Sequence, residues 1–186
     1  MEIIGPEKLL LEVTLILDKL KINYYITGGF AVSVWGKPRA TFDIDIVVAL
    51  VGPELPDLIK ALRKISKAGY IDQDTAREAL RTKGEFNFID PDTGLKVDFW
   101  VLGNDEMART VLKRKIIKKI NGQNISFVSP EDLILNKLLW YRESQSSRHL
   151  EDIRTIFKFS KTDKAYLKKK VEILGLQEEF NEVKNI

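Results

Sequence analysis

Apolar and polar positions change rhythm several times along this chain, and each rhythm predicts an element. After Gly5-Pro6-Glu7, the run LLLEVTLILDKL keeps its apolar residues at helical spacing, with a proline and an acid in the first turn. Residues 22–27 are short, aromatic and β-branched, which predicts a strand. Gly28-Gly29 punctuates it, and FAVSVWG follows as a short helix ending at Gly36. Residues 41–48 alternate strictly up to Ile46, a strand that sends Phe42, Ile44 and Ile46 into the core. Residues 53–67 carry Leu55, Leu58, Ile59, Leu62 and Ile65 on one helical face.

Two further strands, 85–89 and 95–102, flank Asp90-Pro91-Asp92-Thr93-Gly94, which has the chemistry of a tight reversal. Two more, 115–120 and 125–128, flank Asn121-Gly122, a strong hairpin signal. From Ser129 the rhythm is helical: Ser129 caps, Pro130 takes the first position and Glu131-Asp132 follow. Further helices are expected at 147–159, 162–173 and 175–183. Strands mixed with helices come first and helices alone come last. The expected fold class is therefore α/β (α+β), a mixed β-sheet flanked by helices with a helical C-terminal lobe. Residues 1–128 read as the core and 129–186 as the lobe.

Composition narrows the picture. At 186 residues, 44% hydrophobic and 31% charged, the chain reads as globular. It has no cysteine, which excludes disulfides and thiolate metal sites and fits a reducing, cytoplasmic setting. The N-terminal apolar run has no basic n-region and is broken by Glu12 and Asp18, so neither a signal peptide nor a membrane span is expected. The net charge of +3 divides into −2 over residues 1–100 and +5 over residues 101–186. An acidic half beside a basic half suits a protein that holds cations and an anionic substrate; from charge alone, ordinary surface charge is the better explanation.

Candidate chemistry begins at Asp43-Ile44-Asp45. On a strand, residues i and i+2 share a face, so both carboxylates point away from the core. Two close anions repel and resist burial, and a divalent cation resolves the conflict. Alone, such a pair is common on surface strands. Gly28-Gly29 before a helix allows close backbone approach to an anion at a helix N-terminus, or is simply a turn. A third acid on a neighbouring strand is available as Asp98, flanked by Val97 and Phe99; a salt bridge to Lys96 is the plainer explanation. Three carboxylates beside a phosphate cradle point to phosphoryl transfer with two metal ions ~3.5–4 Å apart. His149, the single histidine, reads as a helix-surface residue. The run Lys113-Arg114-Lys115-Ile116-Ile117-Lys118-Lys119 could meet a nucleic-acid backbone, or be part of an alternating strand.

The stretch YITGGFAVSVWGKPRATFDIDIVV resembles the opening motif of the DNA polymerase β-type nucleotidyltransferase superfamily, closest to the AbiEii-like abortive-infection toxin group. Ala31, Gly36, Arg39 and Thr41 fit that group's spacing, and SPEDLILNKLLWYRESQSSRHLEDIRTI resembles its later lysine and Arg…Asp motifs. The resemblance spans roughly residues 22–157. It implies that Asp43, Asp45 and Asp98 bind Mg²⁺ (or Mn²⁺) and that Gly28 and Gly29 line the triphosphate of an NTP. Arg39 and Thr41 would belong to the same nucleotide site, although Arg39 could simply brace its loop. Lys137 would contact phosphate and Asp152 would orient it, although Lys137 could snorkel and Asp152 could pair with Arg148 at i,i+4. The implied acceptor is an RNA 3′ end such as that of tRNA, a protein or a small molecule, and the toxin group implies an antitoxin partner. The sequence departs from the pattern at Phe30, where a hydroxyl residue is frequent. A non-catalytic nucleotide- or protein-binding relative is the alternative; intact Asp43, Asp45 and Asp98 argue against it.

Overall fold

A computed structural model describes residues 5–41, 43–66, 68–91 and 93–184. The element order is α1 (Pro6–Lys19), β1 (Tyr24–Ile26), α2 (Gly28–Trp35), β2 (Asp43–Val48), a 3₁₀ turn (Gly52–Glu54), α3 (Leu55–Leu62), α4 (Gln73–Thr82), β3 (Glu85–Asp90) and β4 (Leu95–Val101). Then come α5 (Glu106–Lys113), β5 (Ile116–Ile120), β6 (Gln123–Phe127), α6 (Pro130–Ser144), α7 (Ser147–Phe159), α8 (Lys164–Ile173) and α9 (Gln177–Lys184). Phe42, Lys67 and Asp92, each part of an expected element or turn, lie outside the described residues.

The fold class read from the sequence holds: six strands form one mixed sheet, in the order β3-β4-β2-β1-β6-β5, with helices packed on it. β2 pairs with β4, and β1 with β6, in parallel; the other neighbours are antiparallel. The alternation in β2 does what its pattern requires. Ile44, Ile46 and Val48 are fully buried, while Asp43 is exposed and Asp45 half-buried on the other face. Phe86 and Phe99, directly paired across β3 and β4, stack at 5.0 Å and fix that register by aromatic packing. Asn121 and Gly122 both take positive φ, 45° and 87°, which is the backbone a two-residue hairpin between β5 and β6 demands.

One expected helix changes, and two helices appear that the apolar rhythm did not predict. The helix at 53–67 is a 3₁₀ turn followed by α3, which stops at Leu62; beyond it the Ile65 N–H already donates to the Leu62 carbonyl in a tighter turn. The helices α4 and α5 have no counterpart in the apolar rhythm, because they bury little: Ala76 and Ala79 in α4, Val111 in α5. Their signal is the cap. Asp72 accepts from the Thr75 N–H and Asp105 from the Ala108 N–H, each satisfying an otherwise free helix-start donor.

The C-terminal helices are fastened at the start of α6. Arg114 ends α5 with Nε 3.1 Å from Asp132 Oδ2 and Nη2 2.9 Å from Glu131 Oε2. Its guanidinium lies 3.7 Å from the Tyr166 ring centre, and the Tyr166 hydroxyl donates to Asp132 Oδ1 at 2.7 Å. Elsewhere the Trp35 indole N–H donates to the Val128 carbonyl and the Ser160 hydroxyl to the Trp35 carbonyl. Removing Arg114 strands the buried Asp132. We expect Arg114→Met to lower the unfolding free energy by about 2–4 kcal/mol, read by urea denaturation at neutral pH. The neighbouring Lys113→Met should change it by less than about 0.5 kcal/mol.

Candidate active site

The parallel register of β2 on β4 sets Asp43 against Lys96 and Asp45 against Asp98. Asp98 is 6% exposed. One of its oxygens, Oδ2, accepts from Lys96 Nζ at 2.8 Å; the other, Oδ1, is buried without a partner. The ion pair to Lys96 is therefore formed, and it leaves half of the carboxylate unsatisfied. Burial first, and then the charge of Asp98, raises the Asp45 carboxyl above its ordinary value, against the pull of Lys137 and of the Gly29 N–H. Among the described residues no three acids converge closely enough to make a ready metal cage. The donor set nevertheless suits a hard divalent cation: carboxylate oxygens, two like charges side by side and one orphaned oxygen.

The two glycines are the first residues of α2, rather than a turn before it. Gly28 has φ +60°, and a Cβ there would run into the Asp45 carboxylate; a Cβ on Gly29 would come within 2.5 Å of Thr41 Oγ1. Only glycine lets this backbone lie against the acids. The Gly29 N–H is already turned on the Asp45 carboxylate. Thr41, just ahead of β2, donates to the Asp43 carbonyl at 3.2 Å.

Lys137 and Asp152 come from α6 and α7 and meet in the interior, each 4% exposed, with Lys137 Nζ 2.8 Å from Asp152 Oδ2. The snorkelling alternative for Lys137 fails on that burial. The pairing of Asp152 with Arg148 fails too, because Asp152 faces inward to Lys137 and to Arg39, whose Nη2 donates to Oδ2 at 3.3 Å and whose Nε stands 3.2 Å from Oδ1. Burial pushes the Lys137 amine below its ordinary value, opposed by Asp152; the charge of Asp45 also reaches it. Asp43, Asp45, Asp98, Lys137, Asp152, Arg39 and the glycines thus form one connected neighbourhood.

Two residues were not read from the sequence as part of it. Glu85, on β3, lies near Asp98, and burial followed by the Asp98 charge raises its carboxyl. Its signal was weak, since an acid beginning a strand is ordinary. His149, expected on the helix surface, is half-buried, with its ring 5.9 Å from Trp140 and its Nδ1 buried without a partner. Burial and the Lys137 charge lower its proton affinity. The basic run at 113–119 is largely turned on the protein itself. Arg114 is locked to α6, Lys115 donates to Asn23 and to the Tyr24 carbonyl, and Lys118 lies 4.6 Å over the Trp35 ring. A cavity of about 820 Å³ lies between α7, α8 and α9. It is lined by Phe157, Leu167, Val171 and Phe180, on the side of α7 turned from Asp152.

This fold is that of the polymerase β-type nucleotidyltransferases. It is similar to ANT(2")-Ia in complex with adenylyl-2"-tobramycin, at 17% identity over 94% of this chain and 98% of that one, with a TM-score of 0.61. It is also similar to the lincosamide antibiotic adenylyltransferase LnuA in its lincomycin-bound structure, at 16% identity over 84% and 99%, with a TM-score of 0.58. A third similar structure is an antigenic nucleotidyltransferase-like protein from Paracoccidioides brasiliensis, at 23% identity over 84% and 77%, with a TM-score of 0.52. No curated protein matches the chain in sequence. A family profile, nucleotidyl transferase AbiEii toxin of type IV toxin–antitoxin systems, matches residues 9–179, and the chain belongs to that family. No helix among the described residues is long and apolar enough to cross a membrane.

The raised Asp45 carboxyl has a consequence for stability. In the folded state its ionisation is penalised, so the penalty is present above its folded value and absent below the unfolded value of 3.8. Asp45→Asn, which keeps an acceptor for the Gly29 N–H, should therefore raise the melting temperature of metal-free protein near pH 7. The gain should shrink as the pH falls toward 4. Melting curves in a chelator across that range check it, and an unchanged or lowered neutral-pH melting temperature contradicts it.

Proposed function

We propose that this chain transfers a nucleoside monophosphate from a nucleoside triphosphate to a hydroxyl acceptor, releasing pyrophosphate. The observation that carries the reading is the β2–β4 register, which sets Asp45 beside Asp98 against the glycine start of α2. Family membership and the nucleotidyltransferase fold support it. Asp43, Asp45 and Asp98 would hold Mg²⁺ or Mn²⁺. Such an ion, when bound, supplies Lewis-acid polarisation of a phosphoryl oxygen and acidifies the attacking hydroxyl.

The remaining work falls to the chain's own groups. Gly28 and Gly29 let the start of α2 lie against Asp45 and Thr41, so that a phosphate at the acids would meet free helix-start N–H groups. Lys137, kept in place by Asp152, offers a fixed ammonium where negative charge accumulates on the phosphates, and its burial strengthens that field. Arg39 braces Asp152 from the loop between α2 and β2. In the chemical step the acceptor oxygen bonds to the α-phosphorus, the bond to pyrophosphate breaks, and the hydroxyl proton passes to a site carboxylate. Asp98 Oδ1, buried and without a partner, is the oxygen this reading assigns to it.

The acceptor class divides three ways. The similar structures are named for lincosamide adenylylation and for an adenylyl-tobramycin complex, and the family is named for a toxin. A small molecule, an RNA 3′ end such as that of tRNA, and a protein are therefore each offered in the test; the toxin setting supports an antitoxin as a cellular partner. The protein is incubated with each α-³²P-labelled NTP, Mg²⁺ or Mn²⁺, and total tRNA or a lincosamide or aminoglycoside, beside an Asp43→Ala/Asp45→Ala double variant. Label should appear on one acceptor class or on the protein itself, and be lost in the variant. Lys137→Met should slow transfer at least about a hundredfold. No transfer with any NTP, together with no metal-dependent nucleotide binding, sinks the reading.

A further inference from the structure

The carboxylate cluster already contains a cation. Lys96 lies two residues before Asp98 on β4, so both side chains leave the same face of the strand. It stands directly across from Asp43. Its ammonium meets Asp98 Oδ2 at 2.8 Å, on the one oxygen of Asp98 that is satisfied. The Lys96 side chain is 37% exposed, against 8% for Asp98, so it reaches in from solvent on a flexible stem and can leave without opening the core.

We infer that Lys96 is the resident counter-cation of the metal-free site, and that a divalent ion binds by displacing its ammonium from Asp98. The inference rests on the metal-dependent reading of Asp43, Asp45 and Asp98 given above. A carboxylate oxygen cannot give its full charge to an ammonium and to a metal at once. Lys96 therefore competes for the ligand set, weakening metal binding while it screens the repulsion between Asp45 and Asp98 in the metal's absence. Once displaced, its ammonium stands free at the rim of the acids, within reach of an incoming anionic substrate.

The probe is Mn²⁺ alone, without nucleotide, titrated into the full chain while free Mn²⁺ is followed by electron paramagnetic resonance. Wild type is compared with Lys96→Met, Lys96→Arg and Asp45→Asn. Lys96→Met should bind Mn²⁺ about three- to tenfold more tightly than wild type, and Lys96→Arg, which keeps the charge, should not. In a chelator, Lys96→Met should melt below wild type and recover with Mn²⁺. If Asp45→Asn abolishes binding but Lys96→Met binds no tighter than wild type, the role of Lys96 is overturned and the metal reading survives. If wild type binds no Mn²⁺ that Asp45→Asn removes, the metal reading falls and the inference falls with it.

Discussion

Asp45 and Asp98 face each other across two neighbouring parallel strands, and like charges in that position repel. Much else in the structure can be understood as accommodation of that pair. The apolar faces of β2 and β4, with Ile44, Ile46, Val97 and Phe99 fully buried, hold the strands together against the repulsion. Gly28 lets the start of α2 come close enough for the next residue's N–H to reach Asp45. Lys96 neutralises part of Asp98, and Lys137 adds a positive field at Asp45. A chain selected for stability alone would place apolar residues here. Keeping the charges is the kind of local conflict that proteins retain at working sites.

The run of C-terminal helices is part of this accommodation. Lys137 and Asp152 belong to it, yet they act on acids carried by the sheet. Asp152 also takes Arg39 from the loop leading into β2, so one carboxylate links three separate segments. A buried ion pair of this sort contributes little net stability, since desolvation offsets much of the attraction. Its effect is geometric: Lys137 has a single place to be. The Arg114–Asp132–Tyr166 network then fixes α6, and with it the position of Lys137 relative to the sheet.

Much of this was legible in the sequence, where one periodicity or one turn sufficed. The alternation in β2, the Asn121-Gly122 hairpin and the Ser129 cap are local signals, and they folded as local physics requires. The acids on strands were legible because a polar residue inside an apolar rhythm is conspicuous. Helices α4 and α5 were not, since each relies on a cap and a few small or single apolar contacts instead of an apolar stripe. Partnerships between distant elements were the least legible. Arg148, four residues away, is the natural partner for Asp152 on a lone helix, but α7 turns Asp152 inward, where Lys137 and Arg39 wait. Glu85 joined the acids only through the antiparallel pairing of β3 with β4, whose turn was legible although its register was not.

Two lysines near the same acids show how burial divides the labour of one residue type. Lys137 is buried, is held by an acid that is itself held by Arg39, and so cannot turn away when a ligand arrives. Its burial costs proton affinity but strengthens every interaction it makes. Lys96 is partly in water, on a strand rim, paired to a single oxygen. Water screens it, so its grip on Asp98 is weak. A fixed cation suits a charge that develops on a bound substrate, whereas a displaceable one suits the ligand set of the metal site proposed above. Exchanging their surroundings would exchange their usefulness, although the side chains are chemically identical.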